Sequence, residues 1–238
     1  HRVSRRQRQM CIRDSLEIGP GKGAMTSLLL EKCESLTAIE IDKDLIRFLK
    51  KAYGDRKNFN LIEKDILLYD PKELVRVNKL IGNIPYNIST PIIEWIIDKK
   101  SSFDEIFLML QKEFGERCVA QPNTKSYGRL SIFVQCFFDV TVIREVDKSS
   151  FDPSPKVQSI FLKLIPKVSD MTPNSILMKN LSTLTREAFS KRRKLITNSL
   201  KSFFTEEDLV NLGIERKSRP ENLSVETYIK LAKSIQSG

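Results

Sequence analysis

The chain has 238 residues, 40% of them hydrophobic, with 40 Lys and Arg against 30 Asp and Glu and a net charge of +10. That length allows one large domain or a large and a small one, and no stretch approaches the roughly 18 to 20 consecutive apolar residues of a membrane helix. The only histidine is His1, and Cys11, Cys33, Cys118 and Cys136 form no C-x-x-C pair, which disfavours a buried histidine base, a disulfide framework and a zinc site.

No metal is therefore expected, and the basic balance points to a polyanionic partner. With no membrane segment or secretory signal, the chain reads as cytoplasmic.

Residues 1 to 15, HRVSRRQRQMCIRDS, carry five Arg and one Asp, hence +4 of the net charge. They follow neither helical nor strand periodicity and read as a non-native or disordered basic leader.

From Leu16 the pattern is regular. An apolar run ending at Ile18 meets a glycine loop, and 24–32 reads as a helix with Leu28, Leu29 and Leu30 on its apolar side. LTAIEI is a second strand ending at Glu40 and Asp42, and LIRFLKKAY a second helix. FNLIEKDIL gives a third strand with Asp65 at its end, NKLIGNIPY a fourth, TPIIEWIIDKK a helix and FDEIFLML a fifth strand.

Strands alternating with helices imply an α/β fold with a mostly parallel sheet covered on both faces. Two more strands, near VTVIREV and VQSIFLKLIP, flank FDPSPK. After Pro166 only helices are expected: ILMKNLSTLTREAFSKRRKLITNSL, EEDLVNLG capped by Thr205, and VETYIKLAKSI after Ser224. The domain boundary is placed near residue 170, giving a 16–170 α/β domain and a small all-α domain over 171–238.

In EIGPGKG, Gly19, Gly21 and Gly23 let the backbone turn tightly and approach a ligand. The spacing is G-x-G-x-G, not the dinucleotide G-x-G-x-x-G. Glu40, 21 residues beyond Gly19, can accept hydrogen bonds from both hydroxyls of a ribose, and Asp65 from an adenine amino group. Either carboxylate alone would read as a solvated loop residue. Together, at the ends of successive parallel strands, they describe a nucleoside site. No Walker lysine follows the glycines, so a nucleoside with a small charged side chain, such as S-adenosylmethionine, fits better than a triphosphate.

LEIGPGKGAMT, Glu40, KDIL with Asp65, and NIPYNIS with Asn83 resemble the ordered motifs of the class I (Rossmann-like) methyltransferases that modify adenine N6 in ribosomal RNA. QKEFGERCVAQPNTKSYGRLS, FDPSPKVQSIFLKL and AFSKRRKLITNSL are similar to the small-subunit (16S) rRNA adenine N6-dimethyltransferases in particular. The resemblance runs from Leu16 to the C-terminus. The family's segment before the first strand, with a G-Q-N-F-L-like motif, has no counterpart in HRVSRRQRQMCIRDS, so the chain reads as N-terminally truncated.

The resemblance implies dimethylation of two adjacent adenosines near the 3′ end of small-subunit rRNA within the 30S pre-ribosomal particle, with S-adenosylmethionine as cofactor and a monomeric enzyme. It places Gly19, Gly21, Glu40, Asp65 and Asn83 at the cofactor. Asn83 and the Ile84 or Pro85 carbonyl would hold the target amine, Tyr86 would stack on the base, and Phe151 would face it. Arg129, Lys156, Lys191, Arg192, Arg193 and Lys194 are the expected RNA contacts. The competing readings are a 23S rRNA methyltransferase of the macrolide-resistance type, a non-catalytic RNA-binding assembly factor, and a nicotinamide dehydrogenase, the last disfavoured by the glycine spacing.

Overall fold

The computed structural model describes residues 12–73, 77–150, 157–168 and 175–235. Among these, β1 (Ile12–Ile18), α1 (Ala24–Leu30), β2 (Cys33–Glu40), α2 (Lys43–Tyr53), β3 (Phe59–Glu63), β4 (Lys79–Asn83), α3 (Ser89–Asp98) and β5 (Glu105–Gln111) alternate strand and helix. Then come α4 (Lys112–Val119), α5 (Arg129–Phe137), β6 (Phe138–Val146) and β7 (Ser159–Pro166). The chain ends with α6 (Ile176–Ser190), α7 (Ile196–Ser199), α8 (Glu206–Asn211) and α9 (Val225–Ser234). No helix among the described residues is long and apolar enough to cross a membrane.

The strands form one sheet in the order β3-β2-β1-β4-β5-β7-β6. β1 through β5 pair in parallel, and β7 enters antiparallel to β5. β1 is central, and Leu16, Glu17 and Ile18 are all buried, so both of its faces are covered, as parallel strands require. The opposed rows of Leu16, Leu36, Leu80, Ile106, Leu108 and Leu162 are closed to solvent.

Two expectations change in this region. β1 begins at Ile12, with Ile12 opposite Cys33 and Asp14 opposite Ser35, so residues 12–15 are strand and not leader. Arg13 and Asp14 hide that strand from a hydropathy reading, because its inward groups include the short polar Ser15 bonded to the Cys33 thiol. In α1 the buried residues are Thr26 and Leu30, one turn apart, while Leu28 is 60% exposed. A leucine triplet cannot lie on one face of a 3.6-residue helix.

α2 is set by its termini. Asp42 caps it by accepting from the Asp44 and Leu45 amides at 2.8 and 3.1 Å, and Lys50 and Lys51 sit in its last turn, where the helix dipole favours cations.

The chain divides into two compact units: residues 1–112 with 141–166, and 113–140 with 167–238. The second unit thus takes in 113–140 as well as the C-terminal helices, because α5 contributes to the same packing as α6 and α9. Its buried residues include Tyr127, Phe137, Leu181, Leu184, Tyr228 and Leu231. Thr205 caps α8 with a reciprocal Asp208 bond, and Ser224 caps α9.

The run read as one helix through LITNSL is broken. α6 stops at Ser190, residues 191–194 form a turn with the Lys194 amide donating to the Lys191 carbonyl at 2.8 Å, and α7 restarts at Ile196.

Candidate active site

Register aligns the strand ends that carry the chemistry. Ile18 lies opposite Ile39 on one side and Gly82 on the other, so Gly19, Glu40 and Asn83 follow at one level on the adjacent strands β1, β2 and β4. Neighbouring strands are about 4.8 Å apart, which puts the three positions within the span of one small molecule. The chain leaves β1 towards β2 on one side and returns to β4 on the other, and open α/β sheets bind ligands at this kind of switch point.

The glycine loop separates into two functions. Gly19 and Gly21 have φ of +59°, and a Cβ built on either meets nothing within 4 Å. That is backbone turned left-handed beside open space, suited to a ligand lying against the main chain. Gly23, with φ of +79°, differs: a Cβ there would come 2.6 Å from the Tyr53 ring, and the Tyr53 hydroxyl donates to the Gly23 carbonyl at 3.1 Å. Gly23 serves the packing of α1 against α2.

Glu40 is buried and holds the loop edge. Its Oε1 accepts from the Ile41 and Asp42 amides at 2.8 and 3.0 Å, and its Oε2 lies 3.4 Å from the Gly21 amide. Oε1 is thus saturated by backbone, whereas Oε2, with one long bond, keeps capacity for a further donor. Asp65 accepts from the Leu67 amide through Oδ1 at 2.9 Å, which starts a short 3-10 turn, Ile66–Leu68. Beside these carboxylates stand two exposed apolar side chains, Ile41 at 66% and Leu68 at 74%. The sequence reading missed both, since a single apolar residue in a loop carries no period.

Asn83 ends β4 with its side chain exposed. Ile84 is buried and its amide donates to the Met109 carbonyl at 3.0 Å, which pins the loop to β5. The Pro85 carbonyl accepts from the Ile88 amide at 3.1 Å and the Ser89 hydroxyl at 3.4 Å, closing the 3-10 turn Tyr86–Ile88 at the start of α3. Both of its lone pairs are thus occupied. Tyr86 is 38% exposed.

Glu17 was also missed. It is fully buried in β1, two residues before Gly19, and burial pushes its carboxyl up to about 7 while the Thr26 hydroxyl, donating to Oε2 at 2.8 Å, pulls the other way. Its Oε1 has no hydrogen-bond partner among the described residues. An acid in the middle of a central apolar strand is the signal that would have found it.

The expected RNA contacts fall differently. Phe151 and Lys156 lie outside the described residues. Arg129 is exposed at the first position of α5. Lys191, Arg193 and Lys194 are exposed in the turn between α6 and α7 and not on a helix face. Arg192 does not present its guanidinium to solvent in the same way: Nε donates to Glu221 at 2.5 Å, Nη1 to the Lys125 carbonyl at 2.9 Å and Nη2 to the Thr124 carbonyl at 3.2 Å.

A glycine loop, a buried acid and an amide-bearing strand end around one sheet switch point define a methyltransferase of the Rossmann-like class. The family model for ribosomal RNA adenine dimethylase matches residues 13–237, and the chain belongs to that family. It is similar to the ribosomal RNA small subunit methyltransferase A of Legionella pneumophila, 41% identical over 223 residues, covering 93% of this chain and 86% of the relative. The protein of the same name from Coxiella burnetii is 38% identical over 220 residues, covering 91% and 84%.

Among solved structures, a dimethyladenosine transferase from Plasmodium falciparum matches with a TM-score of 0.75 at 30% identity, covering 92% of this chain and 88% of that one. The 23S rRNA methyltransferase ErmE matches with a TM-score of 0.72 at 22% identity, a likeness of fold.

Proposed function

We propose that the chain uses S-adenosylmethionine to place two methyl groups on N6 of each of two adjacent adenosines near the 3′ end of small-subunit rRNA, acting as a cytoplasmic monomer on the 30S pre-ribosomal particle. The observation that carries this reading is the level row of Gly19, Glu40 and Asn83 on adjacent strand ends, with Tyr86 exposed at the Asn83 end. The names of the relatives favour the small-subunit substrate over the 23S alternative.

Gly19 and Gly21 hold the cofactor's amino-acid portion against bare backbone. Glu40 Oε2 accepts from the ribose hydroxyls, Asp65 offers its second carboxylate oxygen to the adenine amino group, and Ile41 gives the purine an apolar face. Bound there, S-adenosylmethionine supplies an electrophilic methyl group on a sulfonium.

Adenine N6 is a weak nucleophile because its lone pair is delocalised into the ring. Asn83 accepts one of its N–H bonds through the side-chain oxygen. The partner acceptor is the Ile84 carbonyl, since the Pro85 carbonyl is already filled by Ile88 and Ser89. Held by two acceptors, the amine tilts towards a tetrahedral geometry and its lone pair localises. Tyr86 keeps the base plane fixed by stacking, an interaction of about 1 to 3 kcal/mol. The released proton passes to water, consistent with a chain whose only histidine is His1. A second methylation needs one acceptor fewer, which two separate oxygens permit and a closed cage would not.

The test is transfer of labelled methyl from S-adenosylmethionine to unmethylated 30S particles, with 50S particles in parallel. Activity on 30S that Asn83→Ala abolishes is the expected result. Methylation of 50S alone, or an unaltered rate in Asn83→Ala, would overturn the assignment.

A further inference from the structure

The basic turn over 191–194 contains four consecutive cations, but only three of them face solvent freely. Arg192 is tied through all three of its nitrogens to groups 29, 67 and 68 residues away in sequence. Its fork spans two other segments of the same unit: the turn over 121–125, through the Thr124 and Lys125 carbonyls, and the 3-10 turn Pro220–Asn222, through Glu221. A planar guanidinium can bridge such acceptors, whereas a lysine ammonium lacks the fixed fork.

Other bonds knit the same three segments. The Asn123 amide donates to the Glu221 carbonyl at 2.8 Å, and the Asn222 side-chain amide donates to Asn123 Oδ1 at 2.7 Å. The Ile196 amide donates to the Ser218 carbonyl at 2.8 Å, which sets Lys217 alongside the end of the basic turn. Beneath, the buried hydroxyls of Tyr127 and Tyr228 donate to the Leu223 and Pro220 carbonyls at 2.9 and 2.8 Å. Asn123 takes a left-handed φ of 69°, a conformation that Asn tolerates and that this network maintains.

These bonds hold the turn that carries Lys191, Arg193 and Lys194 beside the segments that carry Lys125 and Lys217. All five are exposed, and none has an ion-pair partner among the described residues. Two neighbouring acids are neutralised from within the unit, Glu221 by Arg192 and Glu206 by Arg216. Among the described residues, five unpaired cations against one unpaired acid, Glu215, leave a positive excess that attracts a polyanion such as a phosphate backbone.

We propose that Arg192 is a positioning residue that does not bind RNA but clamps the 121–125 and 220–222 turns to the basic turn, so that Lys125 and Lys217 join Lys191, Arg193 and Lys194 in one RNA phosphate-binding face. This rests on the rRNA reading above and adds Lys125 and Lys217 to it while removing Arg192 as a contact.

The experiment measures affinity of the full chain for a labelled short RNA duplex as a function of salt. Lys125→Ala and Lys217→Ala should each flatten the slope of log K against log salt by about 0.9, the value for one lost phosphate contact on a duplex. Arg192→Lys keeps the charge, so a phosphate-contact role predicts an unchanged slope, whereas the clamp predicts a loss at least as large as that of Lys125→Ala. Glu221→Gln removes a negative charge and should tighten RNA binding by simple electrostatics; the clamp predicts weaker binding.

Unchanged slopes in Lys125→Ala, or tighter binding by a folded Glu221→Gln, would overturn the proposal. Methyl transfer to 30S particles, measured on the same wild-type chain, separates the two readings. Activity with unaltered variant slopes removes the clamp alone, and salt-dependent duplex binding that follows the clamp without methyl transfer removes the dimethylation reading alone.

Discussion

The Thr26 hydroxyl donates to Glu17 Oε2 at 2.8 Å, joining the central strand to the helix that follows the glycine loop. The two residues bracket Gly19, Gly21 and Gly23, so the loop's ends are tied by one buried polar contact.

The burial of Glu17 makes stability depend on pH. Burial raises the Glu17 carboxyl to about 7 in the folded chain from an ordinary 4.5. The folded state therefore binds the proton more tightly than the unfolded one, an advantage complete below about 4.5 and lost as pH rises through about 7. The gap corresponds to a contribution on the order of 3 kcal/mol. Urea denaturation of wild type and Glu17→Gln at pH 5 and pH 8 checks this: the difference between the two should move towards wild type at pH 5. A difference that is the same at both pH values would refute it.

Substitution of the glycines should split binding from stability. Gly23→Ala combines a left-handed φ with a contact 2.6 Å from the Tyr53 ring, so it lowers the melting temperature, with a cost of at least the 1 to 2 kcal/mol or so of the backbone term. Gly21→Ala pays only that backbone term, since its Cβ meets nothing, but the methyl occupies the open side of the loop. It should weaken S-adenosylmethionine binding in calorimetry more than it lowers stability, and the reverse order would contradict the division of roles.

Glu40→Gln tests the buried acid. The amide can still accept through one oxygen from the Ile41 and Asp42 backbone, but it replaces the oxygen facing Gly21 with a donor. Loss of a charge-assisted bond is worth roughly 1.5 to 3 kcal/mol, so cofactor affinity should fall about 10- to 100-fold. The fold should persist, as far-ultraviolet circular dichroism would report.

Tyr86→Phe should retain methyl transfer, because the stacking face is kept, while Tyr86→Ala should lose about 1 to 3 kcal/mol in kcat/KM with cofactor affinity unchanged. Equal losses in both variants would assign the role to the hydroxyl instead.

The alternation of strand and helix was legible because parallel strands buried on both faces read as apolar runs between amphipathic helices. The strand-end positions of Glu40 and Asn83 were legible too, whereas Asp65 lies two residues past the end of β3, where Glu63 is the residue opposite Glu40. Three features were not. Residues 12–15 look polar because Arg13 and Asp14 interrupt the run and the buried position there is filled by Ser15. The helical period of 176–200 continues across 191–194, but the chain turns there, and Arg192 in that turn bonds Glu221, a contact 29 residues distant that no local pattern carries. The Pro85 carbonyl is consumed by a turn to Ser89 that the residue types alone do not specify.

That last turn has an energetic corollary. With Ile84 anchored to Met109 and Pro85 holding both Ile88 and Ser89, the loop's shape is supported by its own chain before any base arrives. On the function proposed above, little ordering entropy is then left to be lost on receiving an adenine, and the acceptors would not have to reorganise as charge develops on the amine. Selectivity for the target consequently shifts to the RNA, which must bear the cost of unstacking the base it presents.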